Sequence, residues 1–482
     1  MKFCEVNNLM KNKKNQIRVS FIGNNAENVT GSLSLITTQT KKILVECGLV
    51  QGNKTLLADY RANSAKFDFK PKDIDLVIIG HSHIDHIGKL PKLYKDGCTA
   101  PIIVPKGNYD IMNILLSDSA HIAGKDAETL SKKAGKVIEP VFRQEDVDIC
   151  LQYIQEYDFD EKHVCDDEFT FRFVGSGHII NAAQIEMWIT SGTNTKKILY
   201  TSDLGSDLPK HFASKFKAVD KANLVIGEAT YADNSRCATI KTRKTDIEKI
   251  KSVVNEVCIC NKSKVLIPVF ALDRCQNILT ILYELFKDNK DCPKIVIDSP
   301  MACKITKLFA ELINEDEKEL YSQVLSWDKL NFSEDYETSK MYQGLNEPLI
   351  LLSCGGMLTA GRSVIWARNL LPNPMNCILF VGYSATNSLA SKIKSSKHKT
   401  IAIEGKSVLS KASIVDLKSF SSHLQHDGLL EYYSNINADK IALVHSNFNE
   451  KLGFAEELQK EVSKKNKTSR VVCVNRSTEI VI

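Results

Sequence analysis

Short apolar runs separated by polar turns dominate the first part of the chain. Gln16 to Ile22, Ser32 to Thr37 and Lys42 to Val45 read as strands, as do Phe169 to Val174, Gln184 to Thr190 and Lys197 to Tyr200. Asp75-Leu76-Val77-Ile78-Ile79 has the unbroken apolar character of a buried strand. A helix is expected to start at Ile87 and run through Tyr94, with Pro91 tolerable in its first turn, and another over Asn108 to His121. Around Pro209 the rhythm changes. Asp246 to Cys258 carries Ile247, Ile250, Val253, Val254 and Val257 at helical spacing, a stripe read as core. Lys264 to Val269 reads as a strand, Cys275 to Phe286 as a helix and Lys294 to Asp298 as a strand. That alternation predicts a parallel sheet with helices on its faces. Glu315 to Glu347 is charged and mixed, suiting surface helices and loops, and strands return at Pro348 to Leu352 and Cys377 to Val381. The last stretch offers strands at Lys440 to Val444 and Arg470 to Val474 around a helix at Gly453 to Lys464. No internal repeat or low-complexity segment interrupts this pattern.

At 482 residues the chain is long enough for two or more domains. Its 43% hydrophobic and 25% charged residues are ordinary for a soluble globular protein. A net charge of +5 admits a polyanionic partner without requiring one. Met1 to Asn15 is polar and Lys-rich, unlike a secretory signal. The longest uncharged stretch, Asn369 to Ser391, is broken by Pro372, Pro374 and Gly382 and makes a poor membrane span, so no membrane partner is expected. The 14 cysteines are scattered without paired CxxC knuckles, and Cys258 and Cys260 have no partner pair nearby. Reduced, mostly buried thiols in a cytoplasmic protein are the expectation. No KH-like GxxG segment is seen before the first half, and no further domain is expected after His445.

Chemistry enters with His81-Ser82-His83-Ile84-Asp85-His86, which holds three of the 11 histidines. Imidazole nitrogens and carboxylate oxygens suit Zn²⁺, which binds them at about 2.0–2.2 Å. Six consecutive residues wrap one ion poorly, so two neighbouring ions are the natural reading, His81 and His83 on one, Asp85 and His86 on the other. The cluster follows a predicted strand, where open α/β sheets place their sites. Two metals need further donors. Gly175-Ser176-Gly177-His178, Tyr200-Thr201-Ser202-Asp203 and Ala442-Leu443-Val444-His445 each follow a predicted strand and offer an imidazole, a bridging carboxylate and a last imidazole.

In this order the series resembles the metallo-β-lactamase superfamily, and the later residues resemble its β-CASP nucleases, a family that includes RNase J and the endonuclease subunit of the pre-mRNA cleavage and polyadenylation factor. Glu228 in Ile226-Gly227-Glu228-Ala229-Thr230-Tyr231, His423 in Ser419-Phe420-Ser421-Ser422-His423, and His445 match its three later motifs. Ile267 to Ala271 with Arg274, Asp298 to Ala302, Gly355-Gly356-Met357 with Gly361-Arg362, and Phe380 to Tyr383 resemble further family blocks. The resemblance implies an α/β fold: an αββα metallo-β-lactamase sandwich over residues 1–208 and 405–482, with a β-CASP domain of parallel sheet and helices inserted at 209–404. It implies two Zn²⁺ per chain, one held by His81, His83 and His178, the other by Asp85, His86 and His445, with Asp203 bridging. The chain departs from the pattern at Glu46 in Val45-Glu46-Cys47-Gly48, where Asp is usual; the extra methylene is expected to displace its hydrogen bond to a metal ligand. Leu424 and Ser446-Asn447 also depart from it, without removing a ligand.

Two metals about 3.5–4 Å apart suit in-line attack of water on a phosphodiester. The resemblance makes Asp85, Glu228 and His423 the catalytic set, with His423 protonating the departing 3′-oxygen and Glu228 orienting it. The expected activity is a zinc-dependent ribonuclease, endonucleolytic or 5′→3′ exonucleolytic, leaving 5′-phosphate and 3′-hydroxyl. Single-stranded RNA is the expected partner and a homodimer the expected assembly. In the family, His at the position of His445 goes with RNA-acting members and Val with DNA-acting ones. A DNA nuclease, a small-molecule metallohydrolase and a silent scaffold are the alternatives. Arg274, Gly355, Gly356, Arg362, Ser421 and Ser422 are candidate substrate contacts. So are the basic runs Arg236, Lys241, Arg243 and Lys244, and Lys392, Lys394, Lys397, Lys399, Lys406, Lys411 and Lys418.

Overall fold

The structure, a computed structural model, describes residues 16–206, 208, 210–233, 238–382, 384, 388–396, 399–465 and 467–482. Met1 to Asn15, Pro209, Arg236, Tyr383 and Lys397 lie outside them. The chain forms two compact units, one within Met1–Asp207, Ala213–Ser235 and Ser422–Ile482, the other within Leu208–Phe212 and Arg236–Ser421.

The strands up to the insert are Arg18–Ser20 (β1), Ser34–Thr37 (β2), Lys42–Val45 (β3), Leu76–Ile78 (β4), Ile102–Pro105 (β5), Ile154–Tyr157 (β6), His163–Val164 (β7), Phe169–Gly175 (β8), Ala183–Ser191 (β9), Asn194–Tyr200 (β10) and Lys221–Glu228 (β11). The second unit holds Lys264–Val269 (β12), Lys294–Asp298 (β13), Leu330–Ser333 (β14), Leu349–Cys354 (β15), Cys377–Phe380 (β16), Thr400–Ile403 (β17), Lys406–Leu409 (β18) and Ser413–Asp416 (β19). Asn437–Val444 (β20), Arg470–Cys473 (β21) and Glu479–Val481 (β22) return to the first unit.

In the first unit two seven-stranded sheets face each other, in the orders β22-β1-β2-β3-β4-β5-β6 and β21-β20-β11-β10-β9-β8-β7. Alternation decides which residues meet between them. Val19, Ile36, Ile43, Val45 and Ile78 of one sheet pack against Phe171, Phe173, Ile185, Met187, Ile198, Ile226 and Val444 of the other. The intervening Leu44, Val77, Ile102 and Val104 are buried too, on the face that the helices Leu90–Lys95, Tyr109–Ala134 and Gln144–Leu151 cover. Across the molecule, Leu199, Val225, Ile441 and Leu443 pack under Leu429, Tyr433, Phe454 and Leu458 of the helices His426–Asn435 and Phe448–Lys464. The layers are therefore helix, sheet, sheet, helix. The helix expected over Asn108 to His121 runs to Ala134, because its polar second half still buries Ala127 and Leu130.

Parallel pairing of β11 with β10 and with β20 joins the chain on either side of the second unit, and sets Glu228 opposite Val444. The second unit contains the expected parallel sheet, in the order β14-β13-β15-β12-β16-β19, and a β17-β18 hairpin. The stripe of Asp246 to Cys258 is buried at Ile250, Val253, Val254, Val257 and Cys258, within a helix Ile240–Val254 that continues as the π-helical turn Asn255–Cys260. No helix among the described residues is long and apolar enough to cross a membrane.

Candidate metal centre

The site is built at strand ends of the first unit. β4 is buried along its whole length, and at Gly80, two residues beyond its end, a β-carbon would lie 2.6 Å from Ser202 Oγ. His81-Ser82-His83 then turns into one helical turn, Ile84–Ile87, for which His83 is the N-cap residue. Asp85 and His86 thus sit on a helix that begins three residues earlier than the sequence suggests. Backbone bonds pin this turn: the Ser32 N–H donates to Asp85 O at 2.9 Å and the Cys47 N–H to His86 O at 2.8 Å. The segment after β3 approaches so closely that a β-carbon on Gly48 would fall 1.5 Å from Asp85 O, so only glycine fits there.

Four donors converge from distant parts of the chain. His83 Nδ1 is 3.2 Å from His81 Nε2 and 3.2 Å from His178 Nε2, while Asp203 Oδ2 is 3.5 Å from each of the latter two. Ligands at about 2.0–2.1 Å from a tetrahedral zinc stand roughly 3.3 Å apart, so these spacings are the edges of a zinc-sized tetrahedron. A second group shares the same carboxylate oxygen. His86 Nε2 lies 3.4 Å from Asp203 Oδ2 and 3.6 Å from Asp85 Oδ2, and His445 Nε2 lies 3.3 Å from Asp85 Oδ2. His86 Nε2 is buried and makes no hydrogen bond among the described residues. A buried ring nitrogen aimed at two carboxylates without an aligned hydrogen bond suits a metal ligand.

Three of the imidazoles, those of His81, His86 and His445, are oriented through their other nitrogen. His81 Nδ1 meets Ser202 Oγ at 3.0 Å, and that hydroxyl donates to Glu46 Oε1 at 3.2 Å. The second Glu46 oxygen accepts from His86 Nδ1 at 3.0 Å, and the Gly80 N–H donates to Glu46 Oε1 at 3.0 Å. Glu46 is fully buried with a left-handed backbone at φ 63°, and despite the extra methylene its carboxylate reaches both branches. His445 is held by Thr230 Oγ1, 2.8 Å from its Nδ1, and its own N–H donates to Asn25 O at 2.7 Å. Ser202, Thr230 and Asn25 were not singled out in the sequence; lone hydroxyls and amides carry no pattern there.

The charges are balanced within this buried box. Burial drives His81 well below the ordinary histidine range, helped by His86, and burial with His423 does the same to His178. Both are therefore held as neutral imidazoles, the form that binds metal. Burial also opposes charge on His86, but Asp203, Glu46 and Asp85 outweigh it and lift its pKa well above the usual value. Burial pushes Glu46 up against the pull of His86. Asp203 is held well below the carboxylate range: burial opposes this, but His445, His86 and His423 prevail.

His423 reaches the same box from the segment that follows the second unit. Ser422 O accepts from the Ser206 N–H and Leu204 O from the Leu424 N–H, both at 2.8 Å, which lays Ser422 to Leu424 along the turn after Asp203. His423 Nδ1 meets Glu228 Oε1 at 3.2 Å, and its Nε2 lies 3.9 Å from Asp203 Oδ2. The Glu228 carboxylate is fixed by the N–H groups of Leu204 at 3.1 Å and Thr230 at 2.7 Å. His83, Asp85 and His423 are part-exposed while the other donors are buried, so the box opens on their side.

Candidate substrate contacts in the second unit stand at strand ends. Arg274 is buried and donates to Val381 O at 2.5 Å. Arg362 is engaged with the buried Asp298 at 2.7 Å and with Ser333 O at 2.9 Å. Gly355 has φ 105°, and a β-carbon there would crowd Ser363 Oγ at 2.7 Å. Ser421 is part-exposed and Ser422 buried. Of the basic runs, Arg243 is buried, with its guanidinium 4.0 Å over the Phe420 ring, and Lys394 pairs with Asp416 at 2.6 Å. No cysteine joins a group able to hold a metal among the described residues, and no disulfide is formed there.

A helix-sheet-sheet-helix sandwich with a histidine and carboxylate box able to hold metal at its strand ends defines a metallo-hydrolase. Family models agree: "Metallo-beta-lactamase superfamily" matches residues 28–157, "Beta-Casp domain" 275–393 and "Zn-dependent metallo-hydrolase RNA specificity domain" 408–469. The chain belongs to the β-CASP family of the metallo-β-lactamase superfamily. Among its relatives, Ribonuclease TTHA0252 of Thermus thermophilus is 28% identical over 87% of this chain and 91% of its own length. Transcription termination factor FttA of Methanocaldococcus jannaschii is 26% identical over 92% of this chain and 69% of its own. Integrator complex subunit 11 of Gallus gallus is 24% identical over 89% and 69%. A crystal structure of a protein of unknown function from Enterococcus faecalis V583 covers 97% of this chain and 100% of its own at a TM-score of 0.51 and 10% identity, a likeness of fold alone.

Proposed function

We propose that the chain is a zinc-dependent ribonuclease that hydrolyses phosphodiester bonds of single-stranded RNA. The observation that carries the reading is His423 with its Nε2 turned into the metal box and its Nδ1 on Glu228, an acid that metal binding alone does not require. The match to an RNA specificity domain and the ribonuclease among its relatives support RNA as the substrate. His81, His83, His178 and Asp203 would hold one ion, and Asp85, His86, His445 and Asp203 the other. When bound, two such ions supply Lewis acidity and a water acidified enough to act as nucleophile.

The protein's own groups do the rest. Glu46, Ser202 and Thr230 fix imidazole tautomers, so the ligand nitrogens keep their lone pairs. Glu228 holds His423 in place, and the His423 Nε2 proton passes to the 3′-oxygen as the phosphorus–oxygen bond breaks. The water oxygen ends on phosphorus, leaving a 5′-phosphate and a 3′-hydroxyl. A homodimer and a cytoplasmic setting go with this reading, and light scattering tests the first. The deciding experiment is digestion of matched single-stranded and duplex RNA and DNA with product mapping. Cleavage of single-stranded RNA to 5′-phosphate products is expected; cleavage of DNA alone, or 5′-hydroxyl products, would overturn the proposal.

A further inference from the structure

The sheet of the second unit has a point where its connections part. β12 and β15 are neighbours, yet the chain leaves them in opposite directions across the sheet. From β12 it passes through the helix Arg274–Phe286 to β13, beyond β15; from β15 it passes through the helix Arg362–Leu370 to β16, beyond β12. Right-handed crossovers place those helices on opposite faces. The helix Arg362–Leu370 accordingly packs Val364, Ala367 and Leu370 with Leu266, Leu351 and Ile378. Open parallel sheets take ligands at such a point, outside the carboxyl ends of the strands.

Three strands in the order β15-β12-β16 end there, each followed by a distinctive residue. Phe270 directly follows β12 and is 42% exposed, although the β12 residues Val265 to Val269 before it are buried. Gly356 lies two residues beyond β15 and Gly382 two beyond β16. A β-carbon on Gly356 would touch the Phe270 ring at 3.4–3.6 Å. One on Gly382 would lie 4.0 Å from that ring and 3.5 Å from Arg274 Nη1. Any longer side chain at either position would close over the ring, so the two glycines keep it open. Arg274 is anchored at the same place through Val381 O. Lys210 and Arg243 lie close enough to Arg274 to feel its charge, and Asp273 offsets part of it.

An open aromatic face between glycines and beside a fixed guanidinium matches a nucleobase with its phosphate. We propose that Phe270 is a stacking platform for one base of single-stranded RNA, with Arg274 providing positive charge to the adjoining phosphate. The proposal rests on the ribonuclease reading and gives its substrate a second point of grip.

The test uses the full chain and a fluorescent single-stranded RNA decamer with a hydrolysis-resistant phosphorothioate backbone. Phe270→Ala should weaken binding by about 5- to 140-fold, the range for one base stack. Phe270→Tyr should retain it, and the emission of Phe270→Trp should be quenched as the decamer binds. Tyr336→Ala removes another exposed aromatic of this unit and should change nothing. A decamer abasic throughout should bind wild type and Phe270→Ala alike. Unchanged decamer binding by Phe270→Ala, or equal weakening toward the abasic strand, overturns the platform. Hydrolysis of unmodified RNA by the wild type is read in parallel; its absence overturns the ribonuclease reading, whereas its presence with unaltered Phe270→Ala binding overturns the platform alone.

Discussion

Glu46→Gln tests how the metal centre is held. The carboxylate accepts from Gly80 N–H and Ser202 on one oxygen and from His86 Nδ1 on the other. Glutamine has the same shape, but one of its two positions is now a donor. With its NH₂ toward His86, two donors collide unless the ring moves its proton to Nε2, the nitrogen that faces Asp203 and Asp85. With its NH₂ reversed, the collision is with Gly80 N–H instead. Either way one bond to a charged acceptor is lost, worth about 1.5–3 kcal/mol, or roughly 10- to 150-fold in an equilibrium constant. That agrees with the roughly 10- to 100-fold loss of metal affinity typical when such an outer partner is removed. The assay is zinc titration by calorimetry, with circular dichroism to confirm folding. The His86 site should weaken by about that factor, and the His81 site less, because it is reached only through Ser202. Two sites of wild-type affinity in a folded Glu46→Gln protein would rule out this role for Glu46, as would a larger loss at the His81 site.

Three further outcomes follow from other parts of the fold. Gly205→Ala would set a β-carbon 1.7 Å from Gly177 O, between the segments that carry Asp203 and His178; a lower melting temperature and loss of bound zinc are expected, and wild-type values for both would contradict the packing. Arg362→Met strips the buried Asp298 of its cation, though Ser333, Ser339 and Trp366 still donate to it; breaking such a pair costs about 3–5 kcal/mol, measurable by urea denaturation. Lys451 is buried on Ala26 O and Val474 O, and burial lowers its pKa from 10.5 to about 8. Between those values the unfolded chain holds a proton that the folded chain has released, so stability rises with pH from about 8 to 10.5, by at most about 3 kcal/mol. Lys451→Met should lack that rise in melts taken across this range.

Much of the candidate site could be read from the chain because its donor residues follow the ends of strands. The runs ending before His81, His178, Asp203 and His445 are apolar and bounded, so both the strands and the exposed residues after them stand out. β11 did not stand out, although it carries Glu228: Lys221-Ala222-Asn223 begins it with polar character and only Leu224 to Ile226 are strongly apolar. The hydroxyls of Ser202 and Thr230 act through the register of separate strands, which no local pattern encodes. Arg362 is legible as a charged residue near a glycine loop, but its commitment to Asp298 depends on side chains 64 positions apart. The departure at Glu46 was visible in the sequence. That its longer carboxylate still reaches His86 and Ser202 belongs to the fold.

The proposed function has two parts: the box binds metal for hydrolysis, and His423, outside the proposed ligand set, serves the leaving group. Single-turnover cleavage of single-stranded RNA by wild type and His423→Ala, with zinc content measured on the same samples, tests it most directly. Equal zinc, near two per chain, is expected, with a cleavage step slowed by about 10²–10⁴-fold in the variant. Equal zinc with an unchanged cleavage rate would contradict that role for His423.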